Sequence, residues 1–228
     1  YQVELNKQFG HLRNGIRQPK LDDFVTESTV YTIQTKKPDL TLVHLVDLDF
    51  QRHIHGFSSS EAHEAIYRHD VRLGKIIAAL KESGMYEQST IVVLGDHSAL
   101  DHAKAVKLNV LLRESGLIEL NARGKVKSWK AFCKSNDGSA YIYLKDKSDV
   151  RTRERVKALL HSLSINKENG IEFVLDGVEA GLRGADEQAD FMLEANQGFY
   201  FTEHLDGESI DVITAEDVKA GKYTCATH

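Results

Sequence analysis

Two short apolar runs, each delivering aspartate and histidine at its end, constrain this chain more than any other feature. The first is TLVHLVDL at residues 41–48 and the second is STIVVL at residues 89–94. Both are rich in β-branched residues and lack the polar alternation of a half-exposed strand, so each reads as a buried strand of a parallel sheet. Pro38 precedes the first run and favours extended backbone before it. Between the runs, Ala62, Ala65, Ile66, Val71, Leu73, Ile76, Ile77 and Leu80 recur at roughly helical spacing, with Ser60 as the expected N-cap and Gly84 just past the end. Strand, helix, strand in that order predicts a βαβ unit with a right-handed crossover.

Further helices and strands surround this unit. Leu21 to Lys36 reads as a helix with Asp22 or Asp23 near its start. Val106 to Ser115 reads as a short helix ended by Gly116, and Asp137-Gly138 marks a turn between strands Ala131 to Ser135 and Ala140 to Leu144. Then follow a helix from Arg151 to Leu163, a strand from Ile171 to Leu175, a short helix or turn from Gly177 to Gly184, and a strand from Ala189 to Glu194. The tail from Phe199 to His228 is loop-rich. The expected fold is α/β, a partly parallel sheet with flanking helices plus a small α+β insertion. Its expected parts are a core segment at 1–105, the insertion at 106–194, and a return to the core at 195–228.

A chain of 228 residues can bury a sizeable core as one large domain or two small ones. Its net charge is −5 and it has no block of Lys or Arg, which argues against a duplex nucleic-acid partner. The apolar runs are far too short to span a bilayer, so no membrane partner is expected. Two cysteines, Cys133 and Cys225, make neither a disulfide framework nor a CxxC metal site, which points to a reducing, cytoplasmic setting. The first residue is Tyr1 with no signal-like start, so the chain reads as a piece of a longer polypeptide.

The chemistry collects where the two runs end. The first leads into Asp47, Asp49, His53 and His55; the second leads into Asp96, His97, Asp101 and His102. Adjacent parallel strands deliver their following loops to one crevice, where open α/β sheets bind ligands. Carboxylate with imidazole suits Zn²⁺ or Mn²⁺. The competing reading makes these ordinary turn and capping groups of a non-catalytic binding domain. With eleven histidines some clustering arises by chance. His63, His69 and His161 read as surface groups; His44 reads as a core group or a neighbour of the ligands, and Asp47 and His55 also as neighbours of the ligands.

The run DLDFQRHIHG places Asp49, three residues, His53, two residues and Gly56; VVLGDHSAL carries Asp96-His97; ATH closes the chain at His228. In order and approximate spacing this resembles the alkaline phosphatase superfamily, in its nucleotide pyrophosphatase/phosphodiesterase branch. The resemblance implies an alkaline phosphatase-like core holding two divalent metal ions, zinc or manganese. Asp49, His53 and His228 would bind one, and Asp96 and His97 the other, whose ligand set is incomplete here. The family's remaining aspartate and its threonine or serine nucleophile would lie before the segment that residues 1–38 resemble. Thr26, Ser28 and Thr29 are therefore not assigned that role and no catalytic residue is named. The implied activity is two-metal hydrolysis of a small phosphate ester or nucleotide through a phosphoenzyme, with this chain alone inactive or nearly so. Phosphomonoester, phosphonate and sulfate-ester hydrolysis remain alternatives, and the insertion would act as a cap shaping the leaving-group pocket.

Overall fold

A computed structural model describes residues 1–228. It divides into two compact units, Tyr1–Ala99 and Leu100–His228. No helix is long and apolar enough to cross a membrane.

The first unit is helical, with α1 at Gln2–Phe9, α2 at Lys20–Lys36, α3 at Asp47–His55 and α4 at Ser60–Glu82. Ser59, one residue before the expected cap, accepts the Ala62 N–H and starts α4. Gly84, at φ +71°, turns the chain out of α4 in the left-handed region where glycine carries no steric penalty. Helices α2 and α4 pack through buried Ile33, Ala79 and Leu80, with Val30, Ile76 and Met85 against them.

Neither apolar run forms a strand. Residues 37–46 and 89–99 have no ladder, and Asp47 and Leu48 belong instead to the first turn of α3. The expected βαβ unit is therefore not formed. An extended segment becomes a strand only when a neighbour takes its backbone N–H and C=O groups. Without one, high β-propensity leaves the chain extended and its side chains in water: Leu42 is 86% exposed and Leu94 76%.

The second unit carries the sheets. In chain order it contains β1 (Leu100–Val106), α5 (Leu108–Glu114), β2 (Ile118–Leu120), β3 (Val126–Trp129), β4 (Ala131–Asn136) and β5 (Ser139–Leu144). It continues with α6 (Val150–Ile165), β6 (Ile171–Asp176), α7 (Gly177–Leu182), β7 (Phe191–Ala195), β8 (Gly198–Phe201), β9 (Ile210–Val212), α8 (Ala215–Lys219) and β10 (Ala226–Thr227). One antiparallel sheet has the order β4-β5-β7-β6, and β2 pairs with β3. Strand β1 pairs in parallel with β8 and antiparallel with β9 and β10. The fold is thus the mixed α/β architecture with a partly parallel sheet that the sequence implies, but the parallel pair is β1–β8. The tail is more ordered than expected, supplying three strands and α8.

Alternation along β4, β5 and β7 sends Ala131, Cys133, Ala140, Ile142, Phe191 and Leu193 inward, against Leu108, Leu112, Val156 and Leu160 from α5 and α6. Fully buried Asn109 joins this core by bonding both backbone groups of Cys133: its Nδ2 donates to the carbonyl at 2.9 Å and its Oδ1 accepts the N–H at 2.8 Å. Asp190, 2% exposed, accepts from the Leu144 N–H, Lys147 and Arg153. Gly170 sits at φ +76°, and a Cβ there would lie 2.4 Å from Phe199 Cδ1, so both backbone and space demand glycine.

Candidate metal centre

Four of the five expected ligands lie in the first unit. Asp49 and His53 sit one turn apart on α3, and His53 Nε2 is 3.2 Å from Asp49 Oδ1. Two atoms each about 2.1 Å from one tetrahedral ion lie about 3.4 Å apart, so this separation is compatible with two ligands of a single zinc as well as with an ordinary i,i+4 ion pair. The spacing follows from helical periodicity, because residues four apart share a face. Both side chains reach solvent, at 42% exposure for Asp49 and 22% for His53, which leaves an ion an approach.

Asp96 and His97 lie in irregular chain after the second apolar run. Asp96 Oδ1 accepts the His97 N–H at 3.1 Å, and its Oδ2 is 3.5 Å from His97 Nε2. Hydrogen bonds from backbone, led by its own N–H, hold the Asp96 carboxyl below the usual range. His97 Nδ1 lies 2.9 Å from the Ser98 carbonyl, which can only accept, so Nδ1 is the donor in this contact. A backbone carbonyl orienting a ring this way is the usual support of a metal-binding histidine.

His44 is not a core group: its side chain is 76% exposed and its Nε2 lies 3.8 Å from Asp96 Oδ2. His55 stands 3.9 Å from Glu61 on the surface. His63 and His161 are exposed as expected, but His69 is half-buried on α4, its Nε2 accepting the Leu48 N–H at 3.4 Å. Desolvation, helped by Arg72, lowers its pKa and favours the neutral acceptor form. Thr26 and Thr29 donate to carbonyls of their own helix, at Asp22 and Val25, and are buried, so neither is a presented nucleophile.

In the second unit, His228 follows β10, and its backbone carbonyl accepts the Gly138 N–H at 3.0 Å. Asp101 and His102 lie on β1 rather than in a loop. The His102 ring stacks on Tyr200 with centroids 4.0 Å apart, and its Nε2 faces the Thr224 carbonyl at 2.9 Å.

Sequence reading missed a buried ion network next to the Asp49–His53 pair. Asp22 and Asp47 are both 0% exposed. Asp47 accepts from Arg68 Nε at 2.6 Å, Arg72 Nη1 at 3.1 Å and Gln51 Nε2 at 3.0 Å. Burial alone would raise the Asp47 carboxyl, and these hydrogen bonds outweigh it and hold it below the usual range. A signal was available: Ala65, Arg72 and Ala79 are seven residues apart, which puts an arginine on the buried stripe of α4.

The solved structures similar to this chain share its fold at low identity. Phosphonoacetate hydrolase from Sinorhizobium meliloti, in complex with phosphonoformate, aligns over 98% of this chain at 18% identity with a TM-score of 0.63. Human ectonucleotide pyrophosphatase/phosphodiesterase 5 aligns over 91% at 14% identity and 0.59. The murine protein, in an inactive form with AMP, aligns over 90% at 16% identity and 0.56. The chain spans about half the length of each, 50%, 47% and 50% respectively. No curated protein matches the chain. The family model described as type I phosphodiesterase / nucleotide pyrophosphatase matches residues 1–223, ending before His228. With that match running over nearly its whole length, the chain belongs to the type I phosphodiesterase / nucleotide pyrophosphatase family.

Proposed function

We propose that this chain supplies the metal-binding part of a metal-dependent phosphoester hydrolase, acting on phosphodiesters or nucleotide pyrophosphates. The observation that carries this reading is the Asp49–His53 pair, whose facing atoms have the separation that one divalent ion needs. We assign Asp49, His53 and His228 to one zinc or manganese, and Asp96 and His97 to a second whose remaining ligands lie outside these five residues. In this scheme residues 1–105 and 195–228 form the core and 106–194 the cap over the leaving group. Divalent ions in such donor sets supply Lewis-acid polarisation of a phosphoryl oxygen and a clamp for in-line displacement. The chain's own contribution is to present Asp49 and His53 on one face of α3, to orient the His97 ring through the Ser98 carbonyl, and to keep the site accessible to an anionic substrate.

We assign no nucleophile to this chain, so turnover by it alone is expected to be slight. A phosphonate substrate is the second reading, favoured by the likeness to a phosphonoacetate hydrolase bound to phosphonoformate. Calorimetric titration with Zn²⁺ tests the metal assignment. Saturable binding that disappears in Asp49→Ala and His53→Ala is the expected outcome, and stoichiometric zinc retained by both variants would refute it. Rapid hydrolysis of a bis-aryl phosphate by the chain alone would refute the expectation of slight turnover.

A further inference from the structure

We propose that Asp22 is a positioning residue for the metal ligands on α3, acting from α2 as the cap of that helix. This rests on the metal reading above. Val46 stands at the N-cap of helix α3, and because its side chain has no acceptor the helix has no side-chain cap of its own. A helix start leaves its first N–H groups without partners. Here they are taken from outside: Asp22 Oδ1 accepts the Val46 N–H at 3.2 Å, and Asp22 Oδ2 accepts the Asp47 N–H at 2.9 Å. His69 Nε2 takes the next one, from Leu48, at 3.4 Å.

Two carboxylate oxygens on two consecutive N–H groups fix more than the presence of the helix. They fix where it starts and how it is rotated about its axis, because each residue advances the helix by about 100°. Asp49 and His53 lie two and six residues beyond Asp47 and inherit their directions from that start. Asp22 is itself held. Gln18 Nε2 donates to its Oδ1 at 2.9 Å, and Arg72 Nη1 sits 3.6 Å from its Oδ2 and 3.1 Å from Asp47 Oδ2. Arg72 Nη2 is anchored on the Pro19 carbonyl and Asp23. One guanidinium therefore ties the capping carboxylate of α2 to the first residue of α3, and the tie is fully buried. A negative charge at this end also favours the helix dipole.

The test compares the whole chain with Asp22→Asn, Arg72→Lys and Ile33→Val. Zinc affinity is read by calorimetry, and ligand geometry by the visible absorption of bound Co²⁺. Asn keeps the shape of Asp22 but turns one acceptor into a donor facing an N–H. The expected result is zinc binding weakened 10- to 100-fold, the range for groups that orient a metal ligand, together with a changed Co²⁺ spectrum. Arg72→Lys should give a smaller loss in the same direction. Ile33→Val thins the α2–α4 core without touching α3, and should lower the melting temperature while leaving affinity and spectrum unchanged. Native affinity and a native Co²⁺ spectrum in Asp22→Asn, with binding abolished in Asp49→Ala, would overturn the positioning role and leave the metal reading standing. No saturable zinc binding by the native chain would overturn the metal reading, and the positioning role with it. Should Asp22→Asn fail to fold, Arg72→Lys decides by the same two readouts.

Discussion

The two units spend their apolar residues in opposite ways. In the second, strand residues such as Ala131, Cys133, Ile142 and Leu193 are inside and form an extended apolar core. In the first, some of the most apolar segments, around Leu42 and Leu94, stand in water, while the interior holds Asp22, Asp47, Arg72 and Thr26. A sheet buries what its ladder turns inward, so a strand without a ladder buries little, however apolar. The helices of the first unit meet through the small Ile33–Ala79–Leu80 cluster and, beside it, through charge, where each buried ion must be matched by another.

The largest effect should come from unmatching those ions. Asp47→Ala leaves Arg72 buried with one carboxylate fewer and is expected to cost about 3–5 kcal/mol. Hydrogen exchange should show that loss in α2, α3 and α4 with the second unit's strands still protected; loss of protection in both units together would break the distinction between them. Leu193→Ala makes the converse cut. Leu193 is fully buried in the sheet core, and its truncation should cost about 3 kcal/mol, read in the amides of β5 and β7.

The second unit also contains charge, at Asp211. Burial opposes its ionisation, but hydrogen bonds from Tyr223, Lys107 and Lys222 outweigh that and bring its pKa down to about 2, from 3.8. The carboxylate form is thus favoured by folding. Its contribution of about 2 kcal/mol is complete above pH 3.8 and is lost as the pH falls towards 2. Acid unfolding of the native chain and of Asp211→Asn should converge over that interval; a difference that persisted unchanged below pH 2 would contradict the assignment. The smallest effect belongs to the exposed runs. Leu42→Thr and Val93→Thr should each change stability by no more than about 0.5 kcal/mol. A loss above 1 kcal/mol would mean that these runs are covered in solution.

Much of this was legible in the sequence, for a local reason. Helices α2 and α4 and strands β4 to β7 were readable because the periodicity that forms each element is written within it. The runs at 41–48 and 89–94 misled because pairing is a property of two segments and only one was being read. Asp49 and His53 stand out at the end of the first apolar run and are paired by the resemblance, yet their closeness depends on α3 being a helix where the pattern of the run predicts a strand and a turn. The cap on α3 was harder still. Asp22 precedes Val46 by 24 residues, and nothing near Val46 announces that its N–H is served from another helix. The polar stripe Asp22, Thr26, Thr29 followed by Ile33 does have helical spacing, and it marks α2 as a helix whose inward face is meant to bond.

Asn109 turns the edge of β4 into a dead end. By occupying the N–H and carbonyl of Cys133, the outward-pointing groups at the middle of that strand, a single amide imitates one rung of a neighbour and bars any real neighbour from docking there. Its two ends are not interchangeable. Aspartate would set oxygen against the Cys133 carbonyl, and leucine would leave both backbone groups stranded. One side chain thereby fixes the width of the sheet.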